Sequence, residues 1–140
     1  MKILIADDHD LLRDTLVMFL EGEGNIETVT ASDFDGAMAL VDAQGPFDLI
    51  MLDYNMPGMQ GLTGLKTALA HNGGQKVALM SGIATKSVAE EALAEGAAGF
   101  VPKTLSAKSL INAVRFMAMG EQYAPIDFMT QEEEAAAPNP

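Results

Sequence analysis

The chain has 140 residues, 49% of them hydrophobic and none of them cysteine, about one domain's worth with enough apolar material for a single core. No apolar run approaches the ~18 residues of a membrane span, so no membrane association is expected, and without cysteine there is neither a disulfide framework nor a thiolate site. The formal charge of −12 disfavours phosphate backbones, so this segment is expected to bind no nucleic acid itself.

In chain order, Lys2–Ala6 is a short apolar run that meets Asp7-Asp8 at once, too short and too acidic behind to be a secretory signal. A cytoplasmic location is therefore expected. A helix is predicted over Asp10–Glu21, a strand over Ile26–Thr30, a helix over Asp33–Ala43 and a strand over Leu49–Leu52. Helices over Gly61–Ala70 and Lys86–Glu95 flank a strand over Lys76–Met80, and a fifth strand over Ala98–Val101 precedes a helix over Ala107–Met119. In that last helix Leu110, Ile111, Val114, Met117 and Ala118 draw one apolar stripe, with Ser106 as the expected N-cap and Gly120 as the stop. Residues 121–140 turn acidic, small and proline-bearing, and read as a linker or flexible tail following a domain over 1–120.

The apolar runs are continuous rather than alternating, as in parallel strands covered on both faces. Five strand–helix units predict a doubly wound α/β domain with the flavodoxin-like order 2-1-3-4-5, whose ligands bind beyond the carboxyl ends of strands one and three. Four of the five runs lead to a chemically useful residue: Asp7 and Asp8, then Asp53, then Ser81, then Lys103 through Pro102. The second has none and is expected at the edge. A single acid at a strand end usually caps a helix, and a lone lysine is usually a solvated loop residue. Five matching residues at four aligned ends are hard to obtain that way.

Three carboxylates drawn together need either a proton or a cation. Mg²⁺ fits, with Mn²⁺ as the alternative, because it takes one or two carboxylates plus waters and phosphate oxygens. Asp8, Asp53 and the Asn55 backbone carbonyl are the expected ligands, with Asp7 acting through water. A carboxylate is also a nucleophile toward phosphorus, so Asp53 is a candidate for an aspartyl-phosphate. Lys103, the Ser81 hydroxyl and the backbone N–H groups around Asn55 and Gly82 would bind the phosphoryl oxygens.

The sequence resembles response-regulator receiver domains of two-component systems (the CheY-like superfamily) over residues 1–120. The matching stretches are Ile3 to Asp8, Asp48 to Gly61, Met80-Ser81-Gly82 and Gly99 to Lys103. The resemblance implies Asp53 as phosphoacceptor, Asp7 and Asp8 as metal-site acids, Ser81 as the hydroxyl that moves to the phosphate, Lys103 as its cation and Phe100 as the switch aromatic. It also implies a sensor histidine kinase or phosphotransfer protein as donor, an output face over residues 84–119 and a homodimer through the last strand–helix face. Thr104 stands where many receivers have a cis proline, so Val101–Pro102 is expected to be trans. That variation resembles the branch bearing a LuxR-type helix-turn-helix. Phe100 has no hydroxyl, so its switch would work through packing, and Ile83 would neighbour the phosphate.

Other residues read more plainly. His9 is expected to begin a helix without a metal role, since Mg²⁺ prefers oxygen. His71 is expected at the surface. Most of the ten methionines are expected to fill gaps, with Met56 and Met59, in a loop, as interface candidates. Phe116, off the apolar stripe, reads as an output contact or a residue packed beneath a loop.

The leading function is a phosphorylation-activated switch, not an enzyme, that assists its own phosphorylation and dephosphorylation. Its output is expected to be transcription regulation through a DNA-binding domain beyond Pro140; a stand-alone receiver in a phosphorelay is the alternative. A haloacid-dehalogenase-like phosphatase would need a second acid where Asn55 stands. A flavin-binding module would need a phosphate-friendly loop where Asp8-His9-Asp10 lies. An unphosphorylated scaffold that only dimerises would leave the acidic site without a role.

Overall fold

A computed structural model describes residues 1–71, 76–82 and 86–124. Five strands, β1 (Lys2–Ala6), β2 (Glu27–Ala31), β3 (Leu49–Asp53), β4 (Val77–Ser81) and β5 (Gly99–Pro102), form one sheet in the order 2-1-3-4-5. Every paired neighbour runs parallel. Helices α1 (Asp10–Glu21), α2 (Phe34–Gln44), α3 (Leu62–His71), α4 (Lys86–Ala94) and α5 (Ala107–Ala118) connect and flank the strands. The expected elements therefore stand within a residue or so at each end.

The continuous apolar runs resolve into two faces. Ile3, Ile5, Leu49, Met51, Ala78, Met80 and Val101 pack with Leu16 and Leu20 of α1 and Leu110, Val114 and Met117 of α5. Their alternate neighbours Leu4, Ala6, Ile50, Leu52, Val77, Leu79 and Phe100 pack with α2, α3 and α4. Side chains alternate across a strand, so a strand covered on both sides must be apolar at every position. β3 and β4 are buried throughout, whereas the edge strand β2 is not, which is why Thr28 and Thr30 suffice there.

Local chemistry sets the helix ends. The Asp33 carboxylate accepts the Gly36 amide at 2.7 Å and caps α2. Ser106 caps α5 by accepting the Ser109 amide at 3.2 Å, and Gly120, at φ +100°, lets the chain turn away. Beyond Gly120 the chain continues along the free edge of β5, where a single parallel bridge pairs Tyr123 with Gly99. Residues 125–140, the rest of the expected linker, lie outside the described residues, as do Ile83 and residues 84–85 of the expected output face. Gly45–Pro46 is the cis peptide bond among the described residues, and Val101–Pro102 is trans. No described helix is long and apolar enough to cross a membrane.

Met56 and Met59 correct the sequence reading. They are 3% and 1% exposed and belong to the core beneath α2 and α3, not to an interface. Gly64 explains the position of Met59: a Cβ at that helical glycine would collide with the Met59 carbonyl and sulfur. The loop thus drops its methionine into a notch in the helix that follows it.

Candidate functional site

The parallel sheet delivers the expected residues to one rim. β1 ends at Ala6, so Asp7 and Asp8 emerge at its carboxyl end, one strand away from Asp53 at the end of β3. Asp53 lies opposite Met80 and Ser81 opposite Pro102, so Asp53, Ser81 and Lys103 step diagonally across three strands. Asp7, Asp53 and Ser81 are the buried polar residues among those described, at 0%, 1% and 1% exposure. Burying carboxylates costs several kcal/mol unless charge and hydrogen bonds answer them.

Part of the answer is local. The His9 amide donates to Asp7 Oδ1 at 2.9 Å and the Asn55 amide to Asp53 Oδ1 at 3.1 Å. The remaining oxygens, Asp7 Oδ2 and Asp53 Oδ2, accept no hydrogen bond of good geometry. Lys103 Nζ meets both as ion pairs at 3.0 and 3.1 Å. A backbone bond from the Lys103 amide to the Ser81 carbonyl, 2.9 Å long, places that ammonium at the rim.

Charge in the pocket is uneven. Burial pushes the Asp7 carboxyl up, but the His9 amide, Lys103 and the His9 ring outweigh it and hold it below the usual carboxylate value. For Asp53 burial wins. Aided by the charge on Asp7, it lifts this carboxyl above its usual value against the pull of the Asn55 amide and Lys103. Burial also opposes the charge on Lys103, yet the two carboxylates prevail and raise its hold on the proton.

Two residues join the site that sequence reasoning did not place there. His9 occupies the N-cap of α1 without capping it; its Nδ1 lies 3.1 Å from Asp7 Oδ1, 3.5 Å from Asp8 Oδ1 and 3.3 Å from Lys103 Nζ. Arg13, one helical turn on, donates from Nη1 to the Asp7 carbonyl at 2.9 Å and pairs through Nη2 with Asp10 at 2.9 Å. A basic residue four positions after the helix-starting histidine was the available signal. Asn55 and Gly82 lie exposed at the rim, and a Cβ built on Gly82 would meet nothing within 4 Å. Phe100 is fully buried on the α2–α4 side of β5. His71 is at the surface as expected, 3.8 Å from Asp42.

Asp7, Asp8, His9 and Asp53 each offer a ligand atom, all within 4.8 Å of one another. Of the three carboxylates gathered here the Lys103 ammonium pairs with two, and two buried oxygens lack hydrogen bonds, so the donor set fits a hard divalent cation.

A five-stranded parallel sheet in this order, with acids at the ends of β1 and β3 and a lysine after β5, defines a doubly wound α/β domain with an acidic pocket at its rim. The response regulator receiver domain model matches residues 3–115. The chain belongs to the response regulator receiver domain family of two-component systems, whose receiver domains are signalling switches and generally not themselves enzymes. It is 33% identical over 139 residues to a glycerol metabolism activator from Pseudomonas putida, covering 99% of this chain and 63% of the relative. It is 34% identical over 121 residues to the probable transcriptional regulatory protein NarL of Mycobacterium tuberculosis, covering 85% and 55%. Among solved structures, a LuxR family DNA-binding response regulator from Silicibacter pomeroyi superposes with a TM-score of 0.79 at 32% identity, over 89% of this chain and 97% of that one. The chain thus spans less than two thirds of the length of these curated relatives.

Proposed function

We propose that the chain is switched by transfer of a phosphoryl group to Asp53 and passes the change to a DNA-binding output. The carrying observation is the buried Asp53 carboxylate, whose Oδ1 is held by the Asn55 amide while Oδ2 accepts no hydrogen bond and faces the Lys103 ammonium at 3.1 Å and the His9 ring at 4.0 Å. In this reading Oδ2 attacks the phosphorus of a phosphohistidine on a sensor histidine kinase or phosphotransfer protein. A P–O bond forms, the P–N bond breaks, and the imidazole leaves with its electron pair. Lys103 then turns from Asp7 and Asp53 to the phosphoryl oxygens, joined by the Ser81 hydroxyl and the amides around Asn55 and Gly82.

Asp8, Asp53 and the Asn55 backbone carbonyl would hold Mg²⁺ or Mn²⁺, with Asp7 acting through water. A bound ion supplies charge neutralisation for the carboxylates and the phosphoryl oxygens. The same residues favour hydrolysis of the acyl phosphate, so the chain assists its own phosphorylation and dephosphorylation. Phe100 acts as the switch aromatic through packing.

The output assignment rests on relatives that are transcriptional regulators longer than this chain. A homodimer through β5 and α5 belongs to the same reading, supported by the exposed Phe116 and Met119 on that helix and its end. Size-exclusion profiles with and without beryllofluoride should differ; identical profiles would remove the phosphorylation-dependent dimer. The central test is intact mass after incubation with Mg²⁺ and acetyl phosphate. One base-labile phosphoryl adduct, absent without Mg²⁺ and absent in Asp53→Asn, is expected. An adduct that persists in Asp53→Asn would overturn the assignment.

A further inference from the structure

The strand that carries both Phe100 and the approach to Lys103 is also the strand on which the chain lies down after α5. The Tyr123 amide donates to the Ala98 carbonyl at 2.8 Å, and the Phe100 amide donates to the Tyr123 carbonyl at 3.0 Å. Gln122 fastens the same turn, its Nε2 reaching the carbonyls of Leu93 and Ala97, each at 3.0 Å, in the last turn of α4 and two residues before β5. Gly99 makes room for it: a Cβ there would lie 2.8 Å from the Tyr123 carbonyl oxygen and 2.6 Å from the Met117 sulfur. Residues 121–124 are therefore a strap on an otherwise open sheet edge, secured by backbone bonds and admitted by one glycine.

We propose that this strap is a conformational latch: it holds β5 in its resting arrangement and is loosened when Asp53 is phosphorylated, which frees the chain that follows α5. The inference rests on the phosphoryl-switch reading and adds the route by which the switch reaches the chain exit. Only three peptide links separate Phe100, latched through its amide, from Lys103, whose ammonium reports the charge on Asp53. A movement of Lys103 toward a phosphoryl group acts on β5 at one end, and the strap grips β5 at the other. The strap bonds are formed in the arrangement in which Lys103 pairs with Asp7 and Asp53, the arrangement that a phosphoryl group on Asp53 would disrupt. By linkage, anything that breaks them must favour the phosphorylated state by the same factor by which phosphorylation weakens them.

The experiment uses the full chain with Mg²⁺ and beryllofluoride as the phosphoryl mimic, read by amide hydrogen exchange. In the wild type, the mimic should speed exchange of the Phe100 and Tyr123 amides at least about fivefold, a coupling of ordinary allosteric size. Tyr123→Pro, which removes the donor to the Ala98 carbonyl, should speed Phe100 exchange without the mimic. It should also lower the beryllofluoride concentration for half-saturation by a similar factor. Gln122→Ala, which keeps the backbone intact, should do both more weakly and serves if the proline variant does not fold. Faster Phe100 exchange in either variant with an unchanged half-saturation would overturn the latch while leaving the phosphoryl switch standing. A wild-type chain that binds no beryllofluoride at all would instead overturn the switch reading, and the latch with it.

Discussion

Two loops on the same rim, both delivering acids to the pocket, are built in opposite ways. The β1–α1 loop is charged and open: Asp8, His9 and Asp10 are exposed, and only Asp7 is buried, tied by the His9 amide and the Arg13 guanidinium. The β3–α3 loop is anchored from beneath by Met56 and Met59 and bent by Gly58, Gln60 and Gly61, all at positive φ. One loop brings charge to the rim, and the other holds still the strand end that carries Asp53. In the proposed phosphoryl transfer, the two requirements of positioning and charge neutralisation would thus fall to separate pieces of chain.

That contrast is most easily broken by mutations graded in size. Met59→Ala empties a buried site and should cost about 3 kcal/mol of stability, read from urea unfolding; a loss below about 1 kcal/mol would mean the loop is not anchored there. Gly58→Ala is expected to cost about 2 kcal/mol. Its φ of +85° is unfavourable for any side chain, and the new Cβ would stand 3.2 Å from Phe34 Cβ. In the open loop, Asp8→Ala should change metal-free stability by no more than about 0.5 kcal/mol. The same substitution should abolish the Mg²⁺-dependent rise in Tm, which in the wild type corresponds to about 1.4 kcal/mol at a tenfold excess over the dissociation constant. A variant that still gains stability from Mg²⁺ would remove Asp8 from the site.

The smallest effect sharpens the comparison within the pocket itself. Because the folded Asp53 carboxyl lies above its ordinary value of 3.8, its favourable contribution is full below that pH and is lost as pH rises through the folded value. Asp53→Asn removes this loss, so the metal-free variant should be more stable than wild type at pH 7, with the gap closing toward pH 3. Asp7 has the opposite sign. Its carboxyl is held below the ordinary value, so its contribution is present above 3.8 and fades as pH falls through the folded value. Thermal melts across pH 3 to 8 without metal check both signs, and an Asp53→Asn gap that widens in acid would contradict the burial argument.

The sequence by itself determined the architecture and most of the rim. Uninterrupted apolar runs of four or five residues between helical stretches imply parallel strands covered on both faces, and parallel strands bring their carboxyl ends together. Asp7, Asp8, Asp53, Ser81 and Lys103 could therefore be placed on one rim from their position in the runs alone. Helix ends were legible for the same reason, since the Ser106 cap and the Gly120 stop are local chemistry. What only the tertiary structure decided depends on partners distant in the chain or on space left by a missing side chain. Met59 is buried because Gly64 leaves it a notch, Tyr123 lies on β5 because Gly99 and Gln122 admit and fasten it, and the His9 ring turns inward toward an ammonium 94 positions away. Periodicity records which face a residue takes within its own element. It carries no information about a loop side chain whose energy is set by a neighbour from another element, and there the folded chain alone makes the choice.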